Sequence, residues 1–577
     1  MDTANIRDGL AKLGVKRLLF AIHDASFPSD PDEDIGRGSP STKAAARLFC
    51  YVRDLGFTGI QLGPQGQTSR GNPSPYDGTI FSRNVANIGI ASFRTGGPFE
   101  GLLAQRDLEE ALVDGFGPAR HRHAYDESHR LVGKAYGAIQ RGARPDLAAR
   151  IGEFAKANFR WLLSDALHAA LHAEWQAGFR AWPTRDREVW EKNDLERIKQ
   201  LIDQHEREID RYSFGQMLAH EEHERVRRIC HMQLYGDMQI GYSDADAWRH
   251  QRAFLLGYLM GAPPSRTNPE GQPWGYPVLD PGLYESDAGA LVLSRAMKAF
   301  AEYDSLRIDH PHGLVCPWVY RSDTDDPAQA VRDGARLFES PDLPDHPVLG
   351  VFSIVRPDQI DRTKPRYHDA WVTDLDDDQV DRYSILIDAI LDTAERAGRT
   401  RDDLCCEVLS TMPTPLAAVL ARHGLGRFRV TQKANLDDAT DVYRAENARP
   451  EDWMMLGNHD TPPIFAVIRG WSPAQREKWS RHLAARLKLR HPERLVSARF
   501  TASAMLAELF ASRAENVSIF FADLFGLEDR FNVPGVIDDK NWTLRLPPDF
   551  EALHASQLAN EHALDLPLAI ELALAAG

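Results

Sequence analysis

Residues 305–314, SLRIDHPHGL, place an apolar run directly against four titratable side chains, Arg307, Asp309, His310 and His312. The run is typical of a buried strand, and residues two apart on a strand share a side, so Arg307 and Asp309 point the same way. On this segment alone, an ion pair at a strand end is the simpler interpretation. Whether these charges serve a function depends on which residues the rest of the chain brings to them.

Seven further segments are β-rich and close on polar or glycine-rich residues. Near-continuous apolar strands imply burial on both faces, which parallel sheets need and which intervening helices provide. Helical patterns do separate the segments, so the sequence predicts an α/β fold, a (β/α)8 TIM barrel, with an open doubly wound sheet as the competing topology. The eight predicted strands lie at 15–24, 56–64, 229–242, 305–310, 403–410, 427–435, 452–460 and 517–526.

The long gap between the second and third predicted strands exceeds what a simple crossover needs and reads as mostly helical. We therefore expect residues 1–94 to form the first part of a catalytic barrel and 95–228 a helical insertion subdomain. Residues 229–577 would complete the barrel, with shorter loop insertions and a C-terminal helix. Before the insertion, the segment 39–56 predicts a helix with Ser39 as its N-cap and Pro40 in its first turn.

The net charge argues against some classes of binding partner, and the cysteine content indicates the cellular compartment. The 577 residues carry a formal net charge of -16, which argues against nucleic acid or an anionic membrane as the main partner. The five cysteines show no CxxC pairing and favour a reducing compartment, and no signal peptide or long apolar span is visible, so we expect a cytoplasmic protein. The histidine-rich segments 121–129 and 220–224 lack HExxH spacing and predict no metal site.

Three predicted strands finish on carboxylates: Asp309, Glu407 and Asp460. Reaction sites of such barrels lie at the C-terminal ends of the strands, so the three acids should converge. A pair about 5 to 5.5 Å apart suits double-displacement glycoside cleavage. Arg307 would keep Asp309 ionised and nucleophilic, the apolar residues before Glu407 suit a general acid, and Asp460 beside His459 would stabilise positive charge.

Groups suited to sugar flank the acids. Tyr76 lies in a segment after the second predicted strand, and Gln272 and Trp274 lie in a segment before the fourth. Flat aromatic faces pack on pyranose rings and amides bond hydroxyls, and both segments read as loops, where binding residues concentrate. The alternative is that the two aromatic side chains only anchor proline-rich loops.

At this point the chain resembles the amylomaltase or disproportionating-enzyme family, 4-alpha-glucanotransferases of the alpha-amylase clan. The resemblance runs in order through nearly the whole chain. Its motifs are GNPSPYDGTIFSRN (71–84), YGDMQIGYSDADAW (235–248), GAPPSRTNPEGQPWGYP (261–277), LRIDHPHG (306–313), CEVLS (406–410), GNHDTP (457–462) and FNVPGVIDDKNWTLRL (531–546).

The resemblance implies a retaining transglycosidase with Asp309 as nucleophile, Glu407 as acid/base and Asp460 as transition-state stabiliser. The supporting and groove residues that it implies are Arg307, His459, Tyr76, Gln272 and Trp274. It also implies no organic cofactor and no catalytic metal. The expected substrate is an alpha-1,4-glucan or maltooligosaccharide, bound by a monomer or homodimer.

The chain departs from the family beside the acids. The family usually has Phe-Arg after Ile-Asp-His, whereas Pro311 and His312 follow here, so the family arginine is missing. Its acid is usually followed by Asp-Leu-Gly, whereas Val408 follows Glu407. Two other hypotheses therefore stand beside a glucanotransferase: an alpha-glucoside hydrolase or transferase of altered specificity, and a glucan-binding homologue without turnover.

Overall fold

The computed structural model describes residues 3–266, 268–536, 538 and 540–577. Within them, twelve strands form two sheets. They are β1 (Arg17–Ile22), β2 (Gly59–Leu62), β3 (Gln233–Met238), β4 (Phe254–Ala262), β5 (Gln272–Leu279), β6 (Ser305–Ile308), β7 (Trp318–Arg321), β8 (Ala335–Arg336), β9 (Leu404–Cys406), β10 (Phe428–Val430), β11 (Trp453–Met455) and β12 (Asn516–Phe520).

The larger sheet is an eight-stranded parallel barrel in the order β10-β11-β12-β1-β2-β3-β6-β9. A parallel bridge between Cys406 and Arg427 joins its two ends. Each of the eight predicted segments supplies one barrel strand. The predicted barrel is confirmed, and the competing open sheet is wrong because the last strand in the order meets the first.

Side chains fill the barrel, as the alternation of a strand requires. Leu19, Tyr235, Cys405, Phe428 and Trp453 belong to one buried cluster drawn from five barrel strands. Cys406 belongs to a different cluster, on the other face of β9. The two adjacent cysteines therefore pack on opposite sides, and both are free thiols.

The insertion predicted between the second and third barrel strands is confirmed. Its helices supply most residues of two buried clusters apart from the barrel interior, and these clusters also include Val85 before the insertion and Trp248 after it. After α1 (Thr3–Lys12) and α2 (Lys43–Asp54), the insertion carries α3 (Gln105–Glu109), α4 (His121–Gln140), α5 (Pro145–Ala157), α6 (Phe159–Trp175), α7 (Thr184–Arg187), α8 (Leu195–Gln204) and α9 (Glu206–Cys230). Its limits at 95 and 228 stay a prediction.

Helix α2 starts later than the sequence predicts. The Thr42 hydroxyl accepts a hydrogen bond from the Ala45 N–H at 3.0 Å and so caps the helix. The Ser39 hydroxyl instead donates to the Asn87 carbonyl at 2.9 Å. The predicted N-cap at Ser39 is therefore wrong, because its hydroxyl bonds a distant loop.

Helices after β3 cover the barrel and the second sheet, and none of the described helices is both long and apolar enough for a membrane span. They are α10 (Asp244–Arg249), α11 (Asp287–Glu302), α12 (His312–Val315), α13 (Pro327–Arg332), α14 (Asp377–Arg396), α15 (Thr414–His423), α16 (Ile464–Gly470), α17 (Pro473–Arg486), α18 (Ala498–Phe510), α19 (Phe521–Phe525), α20 (Phe550–Ala559) and α21 (Leu566–Ala576).

The smaller sheet is antiparallel, in the order β5-β4-β7-β8. It places Gln272 and Trp274 on strand β5, so the prediction that they lie in a loop is wrong. Pro273 and Pro277 argue against a central strand, but β5 is at the edge of its sheet, where proline is tolerated. Strand β5 positions both side chains more rigidly than a loop would.

Close packing at the end of two barrel strands gives a first prediction. A Cβ atom at Gly63, just after β2, would lie 2.2 Å from Cδ2 of His23, just after β1. Gly63→Ala should therefore lower the free energy of unfolding by about 1–3 kcal/mol through overpacking. Urea denaturation measures this.

Gly71→Ala is the matched control, since a Cβ there meets no atom within 4 Å. Equal stability of the two variants would contradict the packing argument.

Candidate active site

A buried guanidinium lies at the centre of the candidate site. Arg307 on β6 is 1% exposed and contacts three carboxylates. Its Nη1 donates to Oδ1 and Oδ2 of Asp237 at 2.5 and 2.6 Å, and its Nη2 donates to Oδ1 of Asp309 at 3.2 Å. The same Nη2 donates to Oε2 of Glu407. One cation therefore joins acids from three strands.

Strand register explains why these groups meet. In the parallel pairing, Asp237 lies beside Arg307 on the neighbouring strand β3, and Arg307 lies beside Cys405 on β9. Side chains paired in this way share a face of the sheet, here the barrel interior. Asp309 and Glu407 follow at the C-terminal ends of β6 and β9. The predicted meeting of Arg307, Asp309 and Glu407 is present in the structure.

His310 adds a second positive group to the same carboxylates. Its Nδ1 lies 2.9 Å from Oδ1 of Asp309 and 3.4 Å from Oε2 of Glu407. Its φ of 40° is in the left-handed region, which non-glycine residues adopt rarely and mostly at constrained sites. The nearest titratable atoms of the three residues all lie within 4.8 Å of one another.

Mutual charge sets the protonation of this group. Burial alone would lower the pKa of His310, but Asp309 and then Glu407 raise it to about 9. Burial alone would raise the pKa of Asp309, but the charges of His310 and Arg307 outweigh burial and hold that pKa below its usual range. Asp309 is therefore ionised at neutral pH, as a nucleophile must be.

The environment of Glu407 differs from the sequence expectation of an apolar wall. Its side chain is 2% exposed, but the guanidinium of Arg307 and the imidazole of His310 both reach its carboxylate. The apolar residues Cys405 and Cys406 lie before it in the strand. The carboxylate of Glu407 is thus held by two positive groups, and its backbone follows two packed residues of β9.

Asp237 is a site residue that the sequence reading missed. Burial raises its pKa to about 7, although the charge of Arg307 opposes this. The Tyr76 hydroxyl donates to its Oδ2 at 3.1 Å, so Asp237 fixes Arg307 and Tyr76 together. Asp237 lies inside the third predicted strand, 229–242, and only the observed β3, which ends at Met238, places it near a strand end.

Aromatic rings form one wall beside this cluster. Tyr76 stacks on His459 with ring centroids 5.2 Å apart, and Cζ of Arg307 lies 5.6 Å from the centre of the Tyr76 ring. His23 lies 5.0 Å from His459, centroid to centroid. Trp274 meets His310 edge to face at 5.1 Å. The predicted residues Tyr76, His459 and Trp274 therefore surround the charged cluster.

Asp460 lies on the same rim but has different partners. Its Oδ1 accepts from Nδ2 of Asn532 at 2.7 Å and lies 3.5 Å from Nε2 of His459. The side chain is 28% exposed, more than the other acids. Asn532 comes from the loop after α19 (Phe521–Phe525), and nothing in its local sequence connects it with Asp460. That loop also approaches Gln272, since a Cβ at Gly535 would lie 3.5 Å from its side chain.

His312 stands where the family arginine is missing. Its Nε2 donates to the Thr411 carbonyl at 2.9 Å. Burial, with the positive charge of His310 next in importance, lowers its pKa to about 3, so the ring is neutral. Position 312 therefore contributes no charge to the site at neutral pH.

Two groups of described side chains bring three potential metal ligands within 4.8 Å: Asp309 with His310 and Glu407, and Glu446 with His482 and Glu508. Neither includes the histidine-rich segments 121–129 and 220–224. In each group an arginine already contacts a carboxylate, Arg307 in the first and Arg486, 3.5 Å from Glu508, in the second. The expectation of no metal stays a prediction.

Comparison with known proteins decides the family. The family model described as 4-alpha-glucanotransferase, glycoside hydrolase family 77, matches residues 22–551. The chain belongs to the 4-alpha-glucanotransferase family.

Among curated relatives in this family, the 4-alpha-glucanotransferase of rice (Oryza sativa subsp. japonica) is 27% identical over 297 residues. That match covers 48% of this chain and 48% of the relative, so the chain spans about half the length of that protein. The 4-alpha-glucanotransferase of Thermus thermophilus is 24% identical over 290 residues, covering 48% of this chain and 55% of the relative.

Solved structures of glucanotransferases share the fold over nearly the whole chain. Amylomaltase from Streptococcus agalactiae, solved with acarbose, gives a TM-score of 0.74 at 16% identity and covers 96% of this chain and 98% of that one. Amylomaltase from Corynebacterium glutamicum gives a TM-score of 0.66 at 16% identity and covers 99% of this chain and 76% of that one. These similarities support the barrel architecture.

The position of Arg307 among buried carboxylates predicts that replacing it lowers the free energy of unfolding strongly. Arg307→Met would leave the buried Asp237 without its cation and Asp309 and Glu407 with only His310, which should cost about 3–5 kcal/mol of unfolding free energy at pH 7. The deficit should shrink at pH 5, because the unpaired acids then take up protons. Urea denaturation at both pH values measures it.

Arg321→Met is the control, since Arg321 and its partner Asp323 are both more than half exposed, at 56% and 62%. A deficit for Arg307→Met no larger than that of the control would contradict the structural role of Arg307.

The charge on His310 predicts a pH-dependent contribution to stability. Its folded pKa, about 9, is above the ordinary 6.5, so its favourable interaction is complete below pH 6.5 and is lost as the pH rises through 9. The wild type should exceed His310→Gln by about 1–3 kcal/mol at pH 6, allowing for partial solvent screening, and by almost nothing at pH 10.

His491→Gln, at an exposed position, should show no such trend. A stability difference for His310→Gln that stays constant from pH 6 to 10 would show that the His310 charge does not contribute.

Proposed function

We propose that this chain is a retaining 4-alpha-glucanotransferase, which moves an alpha-1,4-glucan segment from a donor chain to the 4-hydroxyl of an acceptor sugar. One observation carries the proposal: Asp309 and Glu407 share Nη2 of Arg307, and their nearest oxygens lie within 4.8 Å. Double displacement needs carboxyl groups roughly 5–5.5 Å apart, whereas inversion needs a wider gap that admits water.

In the first step, an oxygen of Asp309 attacks C1 of the donor sugar and the bond from C1 to the bridging oxygen breaks. Glu407, entering as the carboxylic acid, gives its proton to that oxygen, and the shortened chain leaves with a free 4-hydroxyl. A glycosyl ester on Asp309 remains. The ionised state of Asp309 supports its role as attacking group.

In the second step, Glu407, now a carboxylate, takes the proton of the acceptor 4-hydroxyl while that oxygen attacks C1. The ester bond breaks, Asp309 returns to its carboxylate form, and the new linkage has the original configuration. Transfer rather than hydrolysis requires that a sugar hydroxyl occupies the place of water. The steps call for no organic cofactor or metal.

The remaining predicted residues are assigned around these steps. Asp460, with His459, would stabilise positive charge on the sugar ring in the transition state. Arg307 would hold both catalytic carboxylates, and the groove would be lined by Tyr76, Gln272 and Trp274. The amylomaltase of Streptococcus agalactiae solved with acarbose supports an alpha-glucan-like ligand for this groove.

The proposed catalytic residues all lie in residues 1–94 and 229–577, which supply the barrel. Residues 95–228 would form a helical subdomain, and its helices supply most residues of two buried clusters outside the barrel interior. A cytoplasmic location and a monomeric or homodimeric state remain predictions.

One observation favours a second candidate, a hydrolase or a transferase of altered specificity. His312 is neutral and turned towards the Thr411 carbonyl, at a position where the family carries an arginine. A lost charge there alters the site beside the acids without removing them. The intact group of Arg307, Asp309 and Glu407 argues against a binding protein without turnover.

Incubation with maltotriose distinguishes these functions. The wild type should yield glucose together with longer maltooligosaccharides, resolved by chromatography. Glu407→Gln should lower kcat/KM by about 10²–10⁴-fold, since proton transfer to the leaving oxygen is lost, and Asp309→Asn should lower it at least as much.

Asp323→Asn, an exposed change, is the control and should keep full activity. Reducing ends that accumulate without chain lengthening would favour the hydrolase, and no product from any alpha-glucan would contradict both enzymatic functions.

A further inference from the structure

A half-buried lysine, Lys433, belongs to a segment bonded to the loop that carries Asp460. The N–H of the preceding Gln432 donates to the Leu456 carbonyl at 3.2 Å, and its Nε2 donates to the Pro462 carbonyl at 3.1 Å. Lys433 ends the short 3-10 helix Thr431–Lys433, directly after barrel strand β10. Within the described part of the chain, its Nζ has no hydrogen-bond or carboxylate partner. Lys298 shows the contrast: it is also largely removed from water but donates to Glu302 on the same helix.

Four charged groups surround Lys433 closely enough to change its pKa. Burial lowers that pKa, while Asp460 and Glu407 favour the charged form and Arg530 and Arg266 oppose it. The ammonium is therefore near enough to the proposed acid/base, its proposed stabiliser and two guanidinium groups for their charges to act on it. This places Lys433 on the rim of the catalytic site.

Arg530 is a second cation without a described carboxylate partner. Its Nη2 donates to the backbone oxygen of Asp460 at 2.8 Å, and its Nε donates to the backbone oxygen of Asn532 at 2.9 Å. Arg266 differs, because it pairs with Asp441 at 2.7 Å. Among the described residues, neither Lys433 nor Arg530 has a carboxylate in ion-pair contact, in a chain whose net charge is -16.

A neutral glucan gives no reason for this arrangement. A half-buried ammonium loses hydration, and an anion in contact with it restores that loss. The group that faces the acid/base is the leaving or accepting sugar, because Glu407 exchanges its proton with that sugar's oxygen. We propose that the acceptor side of the site binds a sugar that carries an anionic group, phosphate or carboxylate, through Lys433 and Arg530. This inference rests on the proposed function.

Acceptor competition tests the inference on the full chain. With maltotriose as donor, transfer to glucose, glucose 6-phosphate and glucuronate is compared by kcat/KM for the acceptor. At least one anionic acceptor should exceed glucose by about tenfold or more, as charge-assisted hydrogen bonds allow. The preference should fall as salt is added. The preferred acceptor distinguishes phosphate from carboxylate.

Lys433→Met keeps most of the side-chain volume. It should bring the ratio of kcat/KM for the preferred anionic acceptor to kcat/KM for glucose close to one. Lys199→Met, at an exposed position of the insertion, is the control and should keep it. Equal or better transfer to glucose in the wild type, or a preference that survives Lys433→Met, would overturn the inference and leave the proposed glucanotransferase intact.

Calorimetry separates failure of the inference from failure of the function. Titration of glucose 6-phosphate and glucuronate needs no turnover. If maltotriose is not disproportionated, the glucanotransferase proposal fails, and tighter binding to the wild type than to Lys433→Met would still support an anion site. Equal binding to both proteins would overturn it.

Discussion

The site depends on the burial of one positive charge. Arg307 is enclosed in the barrel and is compensated by Asp237, Asp309 and Glu407, each from a different strand. Those strands, β3, β6 and β9, are neighbours in the barrel order. A buried cation of this kind is costly unless all its partners are in place. When these three strands pair in register, they also bring the proposed catalytic carboxylates together around Arg307.

The same cation separates the chemical roles of similar side chains. Asp309 stays ionised between Arg307 and His310, while Asp237, deeper in the barrel, has its pKa raised to about 7 by burial. Environment, rather than residue type, separates the proposed nucleophile Asp309 from its structural neighbour Asp237. Asp460 is not among the carboxylates that Arg307 contacts. It is more exposed than those acids and accepts a hydrogen bond from Asn532, which lies in a loop distant in sequence. This more exposed position suits its proposed role of stabilising positive charge on the sugar ring without forming a bond to it.

Much of this could be predicted from sequence, for physical reasons. The barrel strands are buried on both faces, so each leaves an apolar run that ends on polar residues, and the acids at those ends follow directly. Asp237 was missed because the predicted third strand, 229–242, ran past the observed end of β3 at Met238. Strand β5 was missed because prolines mask an edge strand. Asn532 could not be predicted, since only the folded chain brings its loop to Asp460.

Capture of the covalent intermediate tests the role of Asp309 most directly. The Glu407→Gln protein, incubated with an activated donor such as maltotriosyl fluoride, can form the glycosyl ester but cannot readily pass it on. Mass spectrometry of its peptides should then find a maltotriosyl group on the peptide containing Asp309, and none in the Asp309→Asn, Glu407→Gln double variant. An adduct on another carboxylate, or on the double variant as well, would contradict the assignment of Asp309 as nucleophile.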